Sequence, residues 1–273
     1  MGLTAKEVGR LPFYALPPEK ESLLRQWIRA AAKQKSQALL KIGAVPIKAS
    51  DLTLLLGRGW LNDEIINAYF NLLLEKETLT RKVHAFSTFF YTKLLSDGYE
   101  GVRRWTRKVP VWSQDRLLVP LNFGNTHWAM AVIDMRTRSL FYLDSMGSYR
   151  AKKVLDRLLR YLTAEFNDKP PSSEEKGFKW LLPLQQKKAK GEEITTQDMA
   201  ALFRIFVPRH TPQQGDGESC GVFTCLFGRE AIQGPLIKLQ DDVCFFAGEW
   251  GQYQVSQFRK RLAYDMVAYH LAQ

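Results

Sequence analysis

Cysteine is scarce in this chain of 273 residues: Cys220, Cys225 and Cys244 are all there is, and no Cys-x-x-Cys pair occurs. An odd, small number excludes a disulfide framework and a four-cysteine zinc site, fits a reducing compartment, and leaves room for a free reactive thiol. Long apolar runs are also missing. Nothing approaches the roughly 20 apolar residues of a membrane span, and Met1-Gly-Leu-Thr-Ala-Lys-Glu7 lacks the apolar core of a signal peptide. The expectation is a soluble intracellular protein without internal repeats. What is present is ordinary globular material, 45% hydrophobic and 25% charged, enough for one sizeable core. Net charge is +11, and residues 1–50 hold nine Lys/Arg against three Asp/Glu. That balance points to an acidic partner, or to nothing more than a solvated helix face.

Patterning gives a coarse map. Residues 1–20, with Pro12, Pro17 and Pro18, read as an extended arm. Residues 21–41 read as a basic amphipathic helix with Leu23, Leu24, Trp27 and Ile28 on its apolar face. Ser50 opens a short helix stopped by Gly57 and Gly59. Asn62 is the expected N-cap of the next, with Asp63 and Glu64 in its first turn. A helix is predicted over Phe86–Leu95, and strands over Arg116–Pro120, His127–Ile133, Ser139–Asp144 and Ile205–Val207. Helices follow over Lys152–Phe166, from Cys220 onward, and through Val255, Phe258, Leu262, Met266 and Tyr269. Residues 167–197 are polar and read as an insertion that is at least partly flexible. Helices first, strands in the middle and helices last predict a single α+β domain from residue 46 to 273, preceded by a basic arm and helix over 1–45.

Cys220 lies where a polar, glycine-containing loop meets an apolar helix, in Gln213-Gln-Gly-Asp-Gly-Glu-Ser-Cys-Gly-Val. The unpaired N–H groups and dipole of a helix N-terminus favour thiolate over thiol, and Ser219 is a suitable N-cap. Cys225 and Cys244 lie inside apolar runs and read as small buried hydrophobes. A thiol nucleophile needs a base. Of the four histidines, only His127 starts an apolar strand. If Met135-Arg136 centre a tight hairpin turn, residues whose numbers sum to 271 face each other. His127 and Asp144 are then cross-strand neighbours, and the carboxylate can fix the imidazole tautomer. Gln214, six residues before Cys220, can donate to an oxyanion beside the Cys220 N–H, with Gln213 as its competitor.

These residues carry a resemblance. Four blocks occur in order: Trp60-Leu-Asn-Asp-Glu-Ile-Ile-Asn67; Phe89-Phe-Tyr-Thr with Gly101-Val-Arg-Arg-Trp105; His127-Trp followed by Ile133-Asp and Tyr142-Leu-Asp-Ser; and Pro212-Gln-Gln with Cys220-Gly. Together they resemble the SUMO-specific Ulp/sentrin-specific proteases, papain-like cysteine peptidases of the adenovirus-protease clan. The resemblance runs from about residue 45 to 230 and implies a papain-like fold, a central mixed sheet flanked by helices. It places the family's catalytic His, Asp, Gln and Cys on His127, Asp144, Gln214 and Cys220. It puts Trp60 and Trp128 on the two indoles that clamp the substrate's Gly-Gly tail, where flat rings leave room only for glycine. Asp63 falls on an acid that pairs with a basic residue of SUMO. Core packing is the alternative for Trp60, and a helix-dipole carboxylate the alternative for Asp63. Two departures are visible: Ser219 stands where the family usually has an acid, and the 167–197 insertion is long.

The implied reaction is hydrolysis of the amide or isopeptide bond after the Gly-Gly of SUMO, in precursor processing and deconjugation. The implied partners are SUMO or a related ubiquitin-like modifier and its conjugates. No metal or organic cofactor, membrane span or nucleic acid enters. The same chemistry on NEDD8 or ubiquitin, an acyltransferase with a similar triad, and a non-catalytic basic binding protein are the rivals. Nucleus or cytoplasm is the expected location, with a secreted microbial effector as the alternative.

Overall fold

The computed structural model describes residues 15–31, 38–76, 81–171, 178–209, 211–234, 237–238, 243–244 and 251–273. Its centre is a mixed sheet of β3 (Val83–Ala85), β4 (Arg116–Asn122), β5 (Trp128–Asp134), β6 (Ser139–Leu143) and β7 (Arg204–Phe206), hydrogen-bonded in that order. The three middle strands are antiparallel, and the edge strands β3 and β7 run parallel to their neighbours. Every residue of β4, β5 and β6 is buried, as expected of a sheet covered on both faces. Alternation sorts the side chains. Leu118, Met130, Val132, Phe141 and Leu143 join one core, and Leu117, Ala129, Ala131, Ile133, Leu140 and Tyr142 join the other.

The first core is covered by α1 (Pro18–Ala31), α2 (Ala49–Leu56), α3 (Asp63–Lys76), α8 (Cys220–Gln233) and α9 (Val255–Leu271). The second is covered by α4 (Phe89–Val102) and α5 (Ala151–Asp168). Between them in sequence lie α6 (Leu182–Ala189) and the short α7 (Thr196–Ala200). Asn62 caps α3 as expected, its Oδ1 accepting from the Ile65 N–H at 3.1 Å. Helix α8 presses closely on its neighbours: a Cβ on Gly228 would lie 2.2 Å from Cε1 of Phe70. At its other end, Arg116 donates to the carbonyls of Ala231 (2.6 Å) and Gly234 (2.9 Å) and pairs with Asp134 at 2.8 Å. The guanidinium thus satisfies carbonyls that the helix end leaves open.

The N-terminal segment differs from its sequence reading. The helix runs from Pro18 to Ala31 rather than over 21–41, with residues 32–37 outside the described residues. Ala38–Ile42 is not helical but a strand, β1, paired with β2 (Val45–Lys48). Leu40 and Ile42 alternate inward there, and the strand pairing satisfies the backbone of a stretch whose helical periodicity is weak. The boundary expected at residue 45 falls inside this hairpin, and both strands are part of the first core. On α1, Leu24 and Ile28 are buried in that core while Leu23, assigned to the apolar face, is 61% exposed. Of the expected arm, residues 1–14 lie outside the described residues.

The 167–197 insertion is also more structured than its composition suggests. Residues 172–177 lie outside the described residues. After them the chain forms a 3-10 turn (Lys179–Leu181), α6 and α7, and buries Leu181, Leu184, Ile194 and Met199 against the α5 layer. These four scattered apolar residues outweigh the many lysines between them. The helix predicted over Phe86–Leu95 lies three residues later at its start, over Phe89–Val102.

Candidate active site

Loop and strand geometry fix the histidine. Asn122 ends β4, and its Oδ1 accepts from the Asn125 N–H at 2.8 Å. The Thr126 hydroxyl donates to the Phe123 carbonyl, and the Phe123 N–H to the His127 carbonyl at 2.9 Å. His127 therefore leaves a self-satisfied turn immediately before β5, not inside the strand as read from sequence. Its side chain is buried, and Phe123 stacks beside it, ring centroids 6.1 Å apart and nearly parallel.

The hairpin register is not the one inferred from sequence. Asp134 pairs with Ser139 and Met130 with Leu143, so paired numbers sum to 273, not 271. The turn is shifted by one residue because the Asp134 carboxylate accepts the Thr137 N–H at 2.9 Å. A change of two in the sum preserves the face of every residue. His127 and Asp144 are consequently diagonal rather than directly opposed, on the same side, and His127 Nε2 lies 2.7 Å from Asp144 Oδ1. The carboxylate also accepts from the Tyr142 hydroxyl at 2.6 Å and the Met146 N–H at 2.8 Å. Three donors on one buried carboxylate hold it in place.

Cys220 opens α8 and is buried. Ser219 occupies the N-cap position, but the expected side-chain cap is not made. Its hydroxyl donates instead to Asp216 Oδ2 at 2.7 Å. Asp216 is the organiser of this loop: Oδ1 accepts the N–H groups of Glu218 and Ser219, and Oδ2 also accepts from Gln252 of the segment before α9. Burial would raise the Asp216 pKa, but these hydrogen bonds more than offset it and hold it below the usual range. Gly221 lets the first turn approach the indole layer: a Cβ there would lie 2.9 Å from Leu61 Cβ and 3.3 Å from Trp128 Cδ1.

His127 is the link between the two halves. Burial alone would lower its pKa. The hydrogen bond to Asp144 and the interaction with the Cys220 thiol more than compensate, raising it to about 9. Its second ring nitrogen, Nδ1, is buried without a hydrogen bond, which leaves it for the thiol. The imidazole thus stands between the Asp144 carboxylate and the Cys220 thiol. Cys225, five residues further into the helix, is fully enclosed, and burial pushes its thiol well above the ordinary range. The side chain of Cys244 lies outside the described residues.

Gln214 bridges the nucleophile loop and the acid strand. Its N–H donates to the Ser145 carbonyl at 2.9 Å, its Oε1 accepts from the Ser145 hydroxyl at 2.7 Å, and its Nε2 donates to the Asp216 carbonyl at 2.7 Å. One amide hydrogen remains. Its competitor Gln213 points elsewhere, donating to the carbonyls of Asp144 and Thr211. Trp128 is buried in the first core with its indole N–H on the Leu61 carbonyl at 2.9 Å, and Trp60 beside Leu61 is 49% exposed. Asp63 is in the first turn of α3, lining a pocket with Glu64 and Asn67.

His84 sits on β3 edge-on to Phe86, and burial lowers its pKa. His270 packs edge-on to Trp27, and His210 lies outside the described residues. Sequence reading missed Asp216, Tyr142 and Phe123. Two signals were available: an aspartate three residues before a helix-initiating serine, and a tyrosine two residues before Asp144 on the same strand face. Among the described residues, no cluster of three His, Cys, Asp or Glu could hold a metal, and no helix is long and apolar enough to cross a membrane.

The model of the Ulp1 protease family, C-terminal catalytic domain, matches residues 59–269. A sentrin-specific protease of Caenorhabditis elegans is 32% identical over 260 residues, covering 94% of this chain and 32% of that protein. Human sentrin-specific protease 2 is 35% identical over 223 residues, covering 81% of this chain and 32% of that protein. The chain thus spans about a third of the length of these relatives. In fold it is similar to the C-terminal Ulp1 protease domain solved in complex with Smt3, the yeast ortholog of SUMO. The TM-score is 0.66 at 22% identity, over 93% of this chain and 96% of that one. The catalytic domain of the Ulp1-like SUMO protease of Chaetomium thermophilum gives 0.63 at 23% identity, over 93% and 90%. With a family model spanning residues 59–269, every one of the expected site positions included, the chain belongs to the Ulp1 protease family.

Proposed function

We propose that the chain is a thiol protease that hydrolyses the amide or isopeptide bond after the C-terminal Gly-Gly of SUMO, in precursor processing and deconjugation. The observation that carries this reading is the buried 2.7 Å His127–Asp144 pair, coupled to a thiol in the first turn of α8. The Cys220 thiolate attacks the glycine carbonyl, forming the C–S bond. The oxyanion is held by the Cys220 N–H, which has no acceptor within the helix, and by the remaining Gln214 amide hydrogen. His127 gives its proton to the leaving amine, the C–N bond breaks, and a thioester remains. Water, losing its proton to His127, then releases the carboxylate and the thiolate. Trp128 and Trp60 flank the tail, and Asp63 offers a carboxylate to a cation on the modifier body. Free thiols at Cys220 and Cys225 suit the nucleus or cytoplasm.

The test is a panel of fluorogenic SUMO, NEDD8 and ubiquitin derivatives. SUMO is expected to be cleaved with the highest kcat/KM, and a Val-Gly tail to be refused. A Val-Gly tail cleaved as fast as Gly-Gly would refute the clamp, and NEDD8 or ubiquitin in first place would replace the substrate.

A further inference from the structure

Arg150, at the N-cap of α5, and Lys153, Arg157 and Arg160 within it recur at intervals of three and four, so they form one stripe along the helix. None of the four has an ion pair among the described residues, although cations elsewhere do. Arg103 pairs with Asp168 and Lys169 with Glu165, both at the far end of the same helix. Like charges at this spacing repel, and a ligand of opposite charge would relieve that repulsion. Among the described residues, Asp156 is the one carboxylate lining the same groove.

The groove reaches the base. Phe123, stacked beside His127, also lies under the Arg150 guanidinium, 4.7 Å from its ring centroid. The same guanidinium is 4.1 Å from the ring of Tyr149, which is 72% exposed. Aromatic rings and cations thus run without interruption from the back of His127 onto α5. The two sides of β5 decide what arrives there. Trp128 belongs to the core that carries Cys220, whereas His127, just before β5, reaches both that thiol and Phe123, which packs against the α5 layer. A tail lying along Trp128 must present its leaving amine to His127. Phe123 joins His127 to Arg150 at the start of α5, so that helix adjoins the place where a leaving amine would meet the base.

We propose that this stripe binds an acidic segment of the protein to which the modifier is joined. The site then selects conjugates by the charge flanking the modified lysine. This inference rests on the protease reading above, and it concerns the leaving side of the bond. An acidic chain fits both the four cations, which have no ion pair among the described residues, and the position beside the departing amine.

The experiment compares SUMO joined by an isopeptide bond to Asp/Glu-rich, Ser/Gly-rich and Lys/Arg-rich peptides, alongside a fluorogenic SUMO with no peptide leaving group. The second protein is Lys153→Gln/Arg157→Gln/Arg160→Gln, with its melting temperature measured. The wild type is expected to favour the acidic over the neutral peptide by about tenfold in kcat/KM at low salt, mostly through KM, with the preference shrinking as salt is raised. The triple variant should lose the preference and cleave the fluorogenic substrate like the wild type. Equal rates on all three peptides would overturn the proposal, as would equal slowing of the fluorogenic substrate. Tighter variant-sensitive binding of a single-stranded RNA than of the acidic peptide would overturn it too, assigning the face to nucleic acid. If no SUMO derivative is cleaved by the wild type, the protease reading fails separately. Fluorescence anisotropy of the labelled acidic peptide then decides the groove, with loss of binding in the triple variant supporting it and unchanged binding refuting it.

Discussion

Helix α8 carries two cysteines five residues apart, and they have opposite fates. Cys220 lies in the first turn, where N–H groups lack intrahelical acceptors and His127 is coupled to the thiol. Cys225 lies among Tyr69, Phe223 and other core residues, and burial drives its thiol pKa up and away from reactivity. Both are buried to within 2%, so exposure does not distinguish them. What differs is the surroundings: one thiol meets His127 at the positive end of a helix, while for the other burial outweighs the influence of the Arg259 guanidinium. The helix is thus divided into a reactive end and a packing middle. Substitutions at the first should change rate and leave stability alone; those in the middle should do the reverse.

The largest effect tests the reactive end. Cys220→Ala is expected to lower kcat/KM on fluorogenic SUMO by at least ~10⁴-fold with little change in melting temperature, because the nucleophile is lost but its volume is nearly kept. Activity within tenfold of wild type would assign catalysis elsewhere. Next, Trp128→Ala should cost about 100-fold, since the tail loses the wall that aligns its carbonyl with the thiolate. Trp128 is also in the core, so the measurement is made per folded molecule, titrated with a covalent thiol probe.

Much of this division was legible in the sequence. The loop-to-helix transition at Cys220, a strand start within one residue of His127 and Asn62 as a cap follow from local residue types, which dominate at element ends. The His127–Asp144 pairing survived a misplaced turn because an even shift keeps residues on their face. Local patterns could not show Ser219 turning its hydroxyl from the helix to Asp216, since two acceptor geometries compete and the tertiary partner Gln252 is distant in sequence. They also could not show that residues 38–42 form a strand, because its partner lies across the turn and its burial depends on α9 and α3.

A smaller effect probes the coupling itself. His127 is raised to about 9 in the folded chain, from an ordinary value near 6.5, chiefly against the opposing influence of burial. The sign follows: stability from the charged imidazole is complete below about pH 6.5 and is lost as pH rises through about 9. The difference in melting temperature between wild type and His127→Gln should shrink over that window. In parallel, kcat/KM should fall about twofold by pH 9 as the leaving-group acid is titrated. In Cys220→Ala the His127 pKa, read by NMR, should drop because the raising influence of Cys220 is gone. An unchanged value would mean that Asp144 alone sets it.

In the packing middle, Gly228→Ala should leave kcat/KM per folded molecule unchanged and destabilise the fold. The new methyl meets Phe70 at 2.2 Å, and overpacking of this kind costs about 1–3 kcal/mol. Chemical denaturation should show the loss as a lower midpoint at unchanged slope. A loss of rate without loss of stability would mean that displacement of α8 is felt at its first turn, and the two ends would not be independent.

Cys225→Ala is the mildest and sharpest of these tests, because it sits one turn and a half from the nucleophile on the same helix. Removing a fully buried sulfur leaves a small void, comparable to deleting a methyl group, with an expected cost of about 1 kcal/mol. The helix end, the Asp216 loop and His127 lie outside that void, so kcat/KM should stay within about twofold of wild type. Alkylation distinguishes the thiols as well: iodoacetamide should modify Cys220 in the native wild type and inactivate it, while Cys225 should react only after unfolding, since the thiolate is the reactive form and burial suppresses it. Native labelling of Cys225 at a rate near that of Cys220 would show that the middle of α8 opens to solvent. The contrast between the two thiols would then arise from access during breathing of the helix rather than from the charges that surround each one.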